Sequence, residues 1–425
     1  MPIGNDGRVS SERHPVCEFD LLTPDAIADP FPLFREAHAA GPVSWNPRHK
    51  AWMITGHQAL TDAFRNPLLA TGGRMEAFYA RQAPERQAAL SKAMDLLNGW
   101  MLFHDQPEHT RLRQPFSRSF TPKVMSRMET DIRALCEQLL DRLDELSRHS
   151  DTIDLVHEFT HPFPALVIAQ LFGIDPSNAE WLQKWSEKFG VVVFGASRRD
   201  DYDTVVRQAG EEFHSRMGEV LDERRRNPQD DLISALLATE NQHEGLSTVE
   251  ILGACSMILF AGHETTSSTI GSATISLINN REASRVVGAL PDSGESHPAI
   301  EEMLRYEAPA KAMMRRVVED HEFHGAQLQK DDAVFLMILA ANRDPQVFSD
   351  PDLIDVKRNP NPHLTFGLGH HYCLGAPLAK LETRIALPAL WSRFPNIQLR
   401  GEVKWKPTIA DRSALSLPVC LKPSS

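Results

Sequence analysis

The stretch STVEILGACSMILFAGHETTSSTIGSATISLINN, from Ser247 to Asn280, decides the fold. Ser247 can cap a helix and Glu250 can reach back to it, a capping box. The run from Ile251 onward is apolar on nearly every side, as in a helix buried at the centre of a large protein. Thirty such residues run roughly 45 Å at about 1.5 Å each. One group interrupts the apolar run: AGHETT, Ala261–Thr266. Polar side chains in mid-core need a reason. They form either a satisfied hydrogen-bond cluster, in which threonine bonds its own helix backbone, or a carboxyl and a hydroxyl delivered to a buried pocket. Gly262 weakens the helix there and can open a groove.

Outward from this helix, DIRALCEQLLDRLDEL (Asp131–Leu146) places Ile132, Leu135, Leu139, Leu143 and Leu146 on one face. AWMITG (Ala51–Gly56) has the character of a short strand. AVFLMILAANRDP (Ala333–Pro345) starts as a buried strand and stops at its Asn-Arg-Asp-Pro turn. The expected class is mainly α with small β-sheets, as one domain over residues 1–425 with residues 1–30 a loose arm.

The chain has 425 residues, 42% apolar and 24% charged, with a net charge of −12. A field of that sign argues against nucleic acid and anionic membrane as partners. The longest apolar run, Ile251–Gly262, is too short to span a bilayer. The N-terminus lacks an apolar targeting core. Five cysteines, Cys17, Cys136, Cys255, Cys373 and Cys420, are scattered with no C-x-x-C pair. That disfavours a disulfide framework, a structural zinc site or an iron–sulfur cluster, and fits a reducing cytoplasm.

Cys373 lies in FGLGHHYCLGAPLAKLE, Phe366–Glu382. A lone cysteine is more often an inert buried side chain than a ligand. Its neighbours change that balance. Gly367 and Gly369 allow a tight turn, and Gly375 removes a side chain where something flat could approach. APLAKLE then has helical character, with Pro377 tolerable in a first turn. A thiol at a helix start is in a setting that favours the thiolate, which suits an iron ligand. Two rivals are weaker. A zinc site from His370, His371 and Cys373 strains tetrahedral geometry. A cysteine nucleophile based on His371 lacks an evident third group.

The pattern Phe366, Gly367, Gly369, His371, Cys373 and Gly375 resembles the haem-binding loop of the cytochrome P-450 family. The resemblance implies that family's fold, with the long helix crossing above haem b (iron protoporphyrin IX), and Cys373 as the iron ligand. It implies that His371 bonds a haem propionate. Other segments are similar to the family in the same order along the chain. AGHETT resembles its oxygen motif, which makes Ala261 a haem contact, Thr265 the group that steadies dioxygen, and Glu264 a proton relay. His263 is favoured as packing. HDQPEHTRLRQPFSRSF (His104–Phe120) resembles a propionate-binding helix, with His109 and Arg113 one turn apart. Arg315, just ahead of a short hairpin, resembles a further propionate ligand, with Arg316 the adjacent rival. Glu302 and Arg305 in EEMLRYEAP, with Arg358, resemble the network that holds the cysteine loop.

The resemblance implies a soluble, cytoplasmic, monomeric enzyme that inserts one oxygen atom from O2 into an apolar small-molecule substrate by hydroxylation or epoxidation, as in secondary metabolism. Carrier-tethering of that substrate is an open alternative. A ferredoxin or flavodoxin would supply electrons, since no G-x-G-x-x-G loop is present. Arg111, Arg118 and Lys380 are candidates for its docking patch, against an equal expectation of ordinary solvated charge. Leu102, Phe194 and Ala310 are expected wall residues, Leu102 also touching haem. Arg74–Phe103 and Lys188–Asp201 have the length and irregularity of mobile lids. A peroxide-using or non-oxygenating haem-thiolate enzyme and a haem-based sensor or binding protein are the alternatives.

Overall fold

The computed structural model describes residues 15–175, 179–193, 201–240, 242, 245–291 and 297–422. Backbone contacts divide the chain into two compact units. Unit 1 comprises Met1–Ala70, Cys136–Thr160 and Thr265–Ser425. Unit 2 comprises Thr71–Leu135 and His161–Glu264.

In unit 1 a five-stranded sheet runs in the order Val43–Asn46, Ala51–Ile54, Ala333–Leu336, Met313–Val317, Leu69–Ala70. The pairing of Ala51–Ile54 with Ala333–Leu336 is parallel and the others are antiparallel. Trp52, Met53 and Ile54 are buried, so this strand is covered on both faces. Trp45 stands opposite Trp52 with rings 5.4 Å apart, and Trp52 Nε1 donates to Asp332 Oδ2 at 2.9 Å. A hairpin comes next, His321–Phe323 with Ala326–Leu328. Its two-residue turn, His324-Gly325, has φ of 49° and 81°, the left-handed pair that a tight hairpin requires.

The strand expected at Ala333 ends at Leu336, and Ile338–Ala341 forms a turn of helix before Asn342. The N-terminal arm also differs from expectation over its described part. Trp45 N donates to Pro15 O at 2.9 Å and Cys17 N to Trp45 O at 3.0 Å. Pro24–Ala28 is helical, capped by Thr23. Residues 1–14 lie outside the described residues.

Unit 2 is built from helices. Gly210 lets the helix Tyr202–Arg226 approach Pro84–Asn98 closely, since a Cβ there would lie 2.8 Å from Ala93 N. The Trp185 and Phe213 rings are 4.3 Å apart, and Trp185 Nε1 donates to Ala209 O at 2.9 Å. Arg74–Phe103, expected as an irregular lid, is largely the helices Arg74–Ala80 and Pro84–Asn98. Of the second expected lid, Val193 ends a helix and residues 194–200, with Phe194, lie outside the described residues.

The central helix, Thr248–Ile278, has 31 residues and carries the chain from unit 2 into unit 1. The capping box forms: Ser247 N donates to Glu250 Oε2 at 2.7 Å, and Glu250 N to Ser247 Oγ at 3.3 Å. Gly262 does not break the helix. Its missing side chain admits Ile168, whose Cδ1 would lie 2.8 Å from a Cβ.

Candidate active site

The turn before Cys373 is held by backbone. Gly367 N donates to Leu364 O at 2.9 Å, Tyr372 N to Gly369 O at 3.0 Å, and Cys373 N to Phe366 O at 2.9 Å. Gly367 and Gly369 have φ of 67° and 71°, and a Cβ on Gly369 would lie 3.1 Å from Phe64 O. Conformation and space therefore both demand glycine there. Asn342 fixes the entry to the turn. Its Oδ1 accepts from Leu364 N at 2.7 Å, and its Nδ2 donates to Thr365 Oγ1, whose hydroxyl donates to Leu304 O at 2.8 Å.

Cys373 is half-buried, and the helix Ala376–Arg393 begins three residues later with Pro377 in its first turn. A Cβ on Gly375 would meet nothing within 4 Å, which is the open cradle that a flat ring needs beside the sulfur. Phe366 is half-buried, with the Lys380 ammonium 5.4 Å from its ring centroid.

Behind the turn is a sealed charge network. Glu302 and Arg305 are 0% exposed. Arg305 Nε and Nη2 donate to the two Glu302 oxygens at 2.8 and 2.7 Å. Arg358 Nε bridges the same oxygens at 3.2 and 3.1 Å, Asn361 Nδ2 adds a bond at 3.2 Å, and Asp355 N one at 2.9 Å. Arg305 Nη1 then donates to Asn342 O at 2.8 Å, so the network grips the residue that clasps the turn. The three charged groups fall where the sequence places them, at a structural post.

Arg315 is buried on the strand Met313–Val317, and its Nη1 donates to Met314 O at 3.0 Å. Arg316 points the other way and pairs with Asp331 at 2.9 Å. Alternation along the strand thus leaves Arg315 as the buried cation and commits its rival to the surface.

On the central helix, Ala261 and Thr265 are exposed, one turn apart, in a run that is otherwise largely buried. Glu264 beside them is buried. Thr269 Oγ1 donates to Thr265 O at 2.9 Å. His263 is packed: its ring meets that of His161 edge-on at 5.0 Å, and its Nε2 lies 3.2 Å from His161 O. Burial pushes its imidazole down to about 4, so it is neutral near pH 7.

Unit 2 carries the remaining candidates. His109 is buried and Arg113 half-buried, both on the helix Glu108–Arg113. Half-buried Leu102 precedes them, its carbonyl accepting from Thr71 Oγ1 at 2.8 Å. Arg111 is committed to Glu108, at 2.6 Å, and to Glu250. In unit 1, Lys380 pairs with Glu301 at 2.8 Å. The side chain of Arg118 lies outside the described residues. Ala310 is half-buried.

Sequence reasoning missed Glu382. It lies nine residues after Cys373, 1% exposed, and its Oε2 has no hydrogen-bond partner among the described residues. Burial pushes its carboxyl well above the usual range. In LAKLETR it looks like an ordinary helix-surface charge, and only its apolar neighbours, Leu378, Leu381 and Ile385, hint otherwise.

The donor set suits a planar dianion ligated by sulfur: a half-buried thiol, an open cradle, and histidine and arginine side chains. The chain matches the family model for Cytochrome P450 over residues 75–287 and 297–418. It is 34% identical to the polyketide biosynthesis cytochrome P450 PksS of Bacillus subtilis (strain 168), over 78% of this chain and 80% of that one. It is 30% identical to the cytochrome P450 monooxygenase PikC of Streptomyces venezuelae, over 95% and 94%. Among solved structures, P450BioI in complex with hexadec-9Z-enoic acid ligated acyl carrier protein is similar with a TM-score of 0.81 at 28% identity, over 94% of this chain and 100% of that one. The chain belongs to the cytochrome P450 family. It is a P450 monooxygenase with that family's fold, and its cofactor is haem b, bound in the family through a cysteine thiolate. Among the described residues no helix is long and apolar enough to cross a membrane.

Proposed function

We infer that this chain inserts one oxygen atom from dioxygen into an apolar small molecule of secondary metabolism, by hydroxylation or epoxidation, with electrons from a separate ferredoxin or flavodoxin. It works as one domain over residues 1–425 and as a cytoplasmic monomer. The observation that carries the reading is the half-buried Cys373 beside the open face of Gly375, on a turn held by a sealed charge network.

Cys373 is the sulfur ligand. Phe366, Gly367 and Gly375 shape its side of the cradle. Arg315, His371, His109 and Arg113 supply donors for the two haem carboxylates. Ala261 and Leu102 give apolar contact to the ring. When bound, haem supplies the oxidation chemistry that the side chains lack. Glu264 holds a proton in a largely buried stretch, and the Thr265 hydroxyl, one residue on and exposed, hands it forward. That pair favours an oxygen-dependent reaction over a peroxide-driven one, which needs no such delivery.

Two relatives bear on the substrate. One acts in polyketide biosynthesis, and one similar structure holds an acyl carrier protein carrying a fatty acid. An acyl or polyketide skeleton, free or carrier-bound, is the class proposed here. Arg111 and Lys380 are already matched by carboxylates, so an acidic redox partner must find its basic surface elsewhere or displace those pairs.

The test is the visible spectrum of the purified holoprotein, then turnover. Cys373→Ser should abolish the haem-thiolate spectrum. Thr265→Ala should keep it while oxygen consumption parts from product. Unchanged coupling in Thr265→Ala removes its role, and an intact thiolate spectrum in Cys373→Ser removes the ligand assignment.

A further inference from the structure

Unit 1 brings Lys311, Lys406 and Arg412 together with Glu307 and Asp411 at a single junction. The chain between the helix Pro298–Tyr306 and the strand Met313–Val317 runs against residues 409–413. Ala310 and Asp411 form an antiparallel bridge, Lys311 N donates to Ala410 O at 2.9 Å, and Arg412 N to Pro309 O at 2.8 Å. Arg412 is matched by Glu307 at 3.1 Å, and Lys406 by Asp411 at 3.4 Å. Lys311, 3% exposed, takes part in neither pair. Among the described residues no carboxylate lies within 4.0 Å of its ammonium and no acceptor bonds to it. Burial pushes its amine down to about 8; Asp411 counters the shift and Arg412 adds to it. A buried ammonium with no carboxylate in contact is costly, and an anion seated beside it would relieve that cost.

The junction adjoins two residues of the candidate site. Lys311 lies four residues before Arg315 on the same chain segment. Ser413 Oγ accepts or donates at 2.5 Å to Ser268 Oγ, and Ser268 stands three residues after Thr265 on the central helix. Ala310, Met313 and Met314 are half-buried, so this segment borders accessible space rather than sealed core.

We propose that Lys311 is a specificity-determining residue that receives the carboxylate of an otherwise apolar acid. The inference rests on the monooxygenase reading and narrows its substrate to molecules carrying one anionic end. A charge-assisted bond to the ammonium favours the acid over its neutral ester by roughly tenfold or more.

Heat-of-binding titrations of the holoprotein with dodecanoic acid and with methyl dodecanoate test this. Wild type is expected to bind the acid about tenfold tighter than the ester near neutral pH. Lys311→Met should erase that preference and leave ester binding within about twofold, while Lys311→Arg should keep most of it. Circular dichroism melts confirm that each variant is folded. A wild type with no preference for the acid overturns the proposal, whether it binds both ligands alike or neither. So does a preference that survives in Lys311→Met. If Lys311→Met fails to fold, the wild-type comparison and Lys311→Arg still decide. A holoprotein with the haem-thiolate spectrum but no acid preference defeats this inference alone, whereas absence of the spectrum defeats the proposed function.

Discussion

Around the cysteine turn, unit 1 seals full charges away from water, whereas the helices Ala179–Val193 and Tyr202–Arg226 of unit 2 meet through rings. Glu302 and Arg305 have no exposed surface, and Arg305 ties the network to Asn342 through a backbone carbonyl. In unit 2, Trp185 stacks on Phe189 at 4.7 Å and meets Phe213 at 4.3 Å, and pairs such as Arg207–Glu211 stay at the surface. A buried ion pair is directional and tolerates little displacement, so it suits a post that must hold one thiol in one place. Ring contacts are broad and forgiving, and suit elements that can differ from one relative to the next.

The contrast breaks first at Arg305. Arg305→Met should cost roughly 3–5 kcal/mol, because Glu302 keeps its burial and loses its closest partner. A guanidinium midpoint that barely moves would show the network to be dispensable.

Glu382 sharpens the contrast from the opposite side, since among the described residues this buried carboxyl of unit 1 has no cation paired with it. Its folded pKa is raised, so its contribution is fully present below the unfolded value near 4.5 and is lost as pH rises toward the folded value. Glu382→Gln removes that loss. The variant should be more stable than wild type at neutral pH and equal to it in acid, read from melts across the pH range. A variant less stable than wild type at neutral pH would mean that Glu382 is ionised and paired in the working protein.

The smallest effect belongs to the rings. Phe213→Leu should cost about 1 kcal/mol, with the spectrum of the cofactor unchanged. A loss as large as that of Arg305→Met would erase the distinction between the two regions.

Local chemistry made much of this legible. The Ser247–Glu250 box and the apolar run set the central helix, and the spacing of Glu302 and Arg305 allowed an ion pair, while Arg358 came into view through the family resemblance. Long-range pairing was not. Ala51–Ile54 finds its parallel partner at Ala333–Leu336, and nothing in either tetrapeptide names the other. Periodicity also erred at two positions. In Pro122–His149 the buried face takes Cys136 and Leu140 beside Ile132, Leu139 and Leu143, while Leu135 and Leu146 are half-buried. Glu382 and Lys311 escaped because a single charge in an amphipathic context looks solvated until burial is known.

Every donor around Glu302 comes from the polypeptide itself: Arg305, Arg358, Asn361 and the amide of Asp355. A newly made chain can therefore finish this post before any cofactor arrives. None of the bonds that hold this post is lent by haem, so its contribution to stability should be the same in apoprotein and holoprotein.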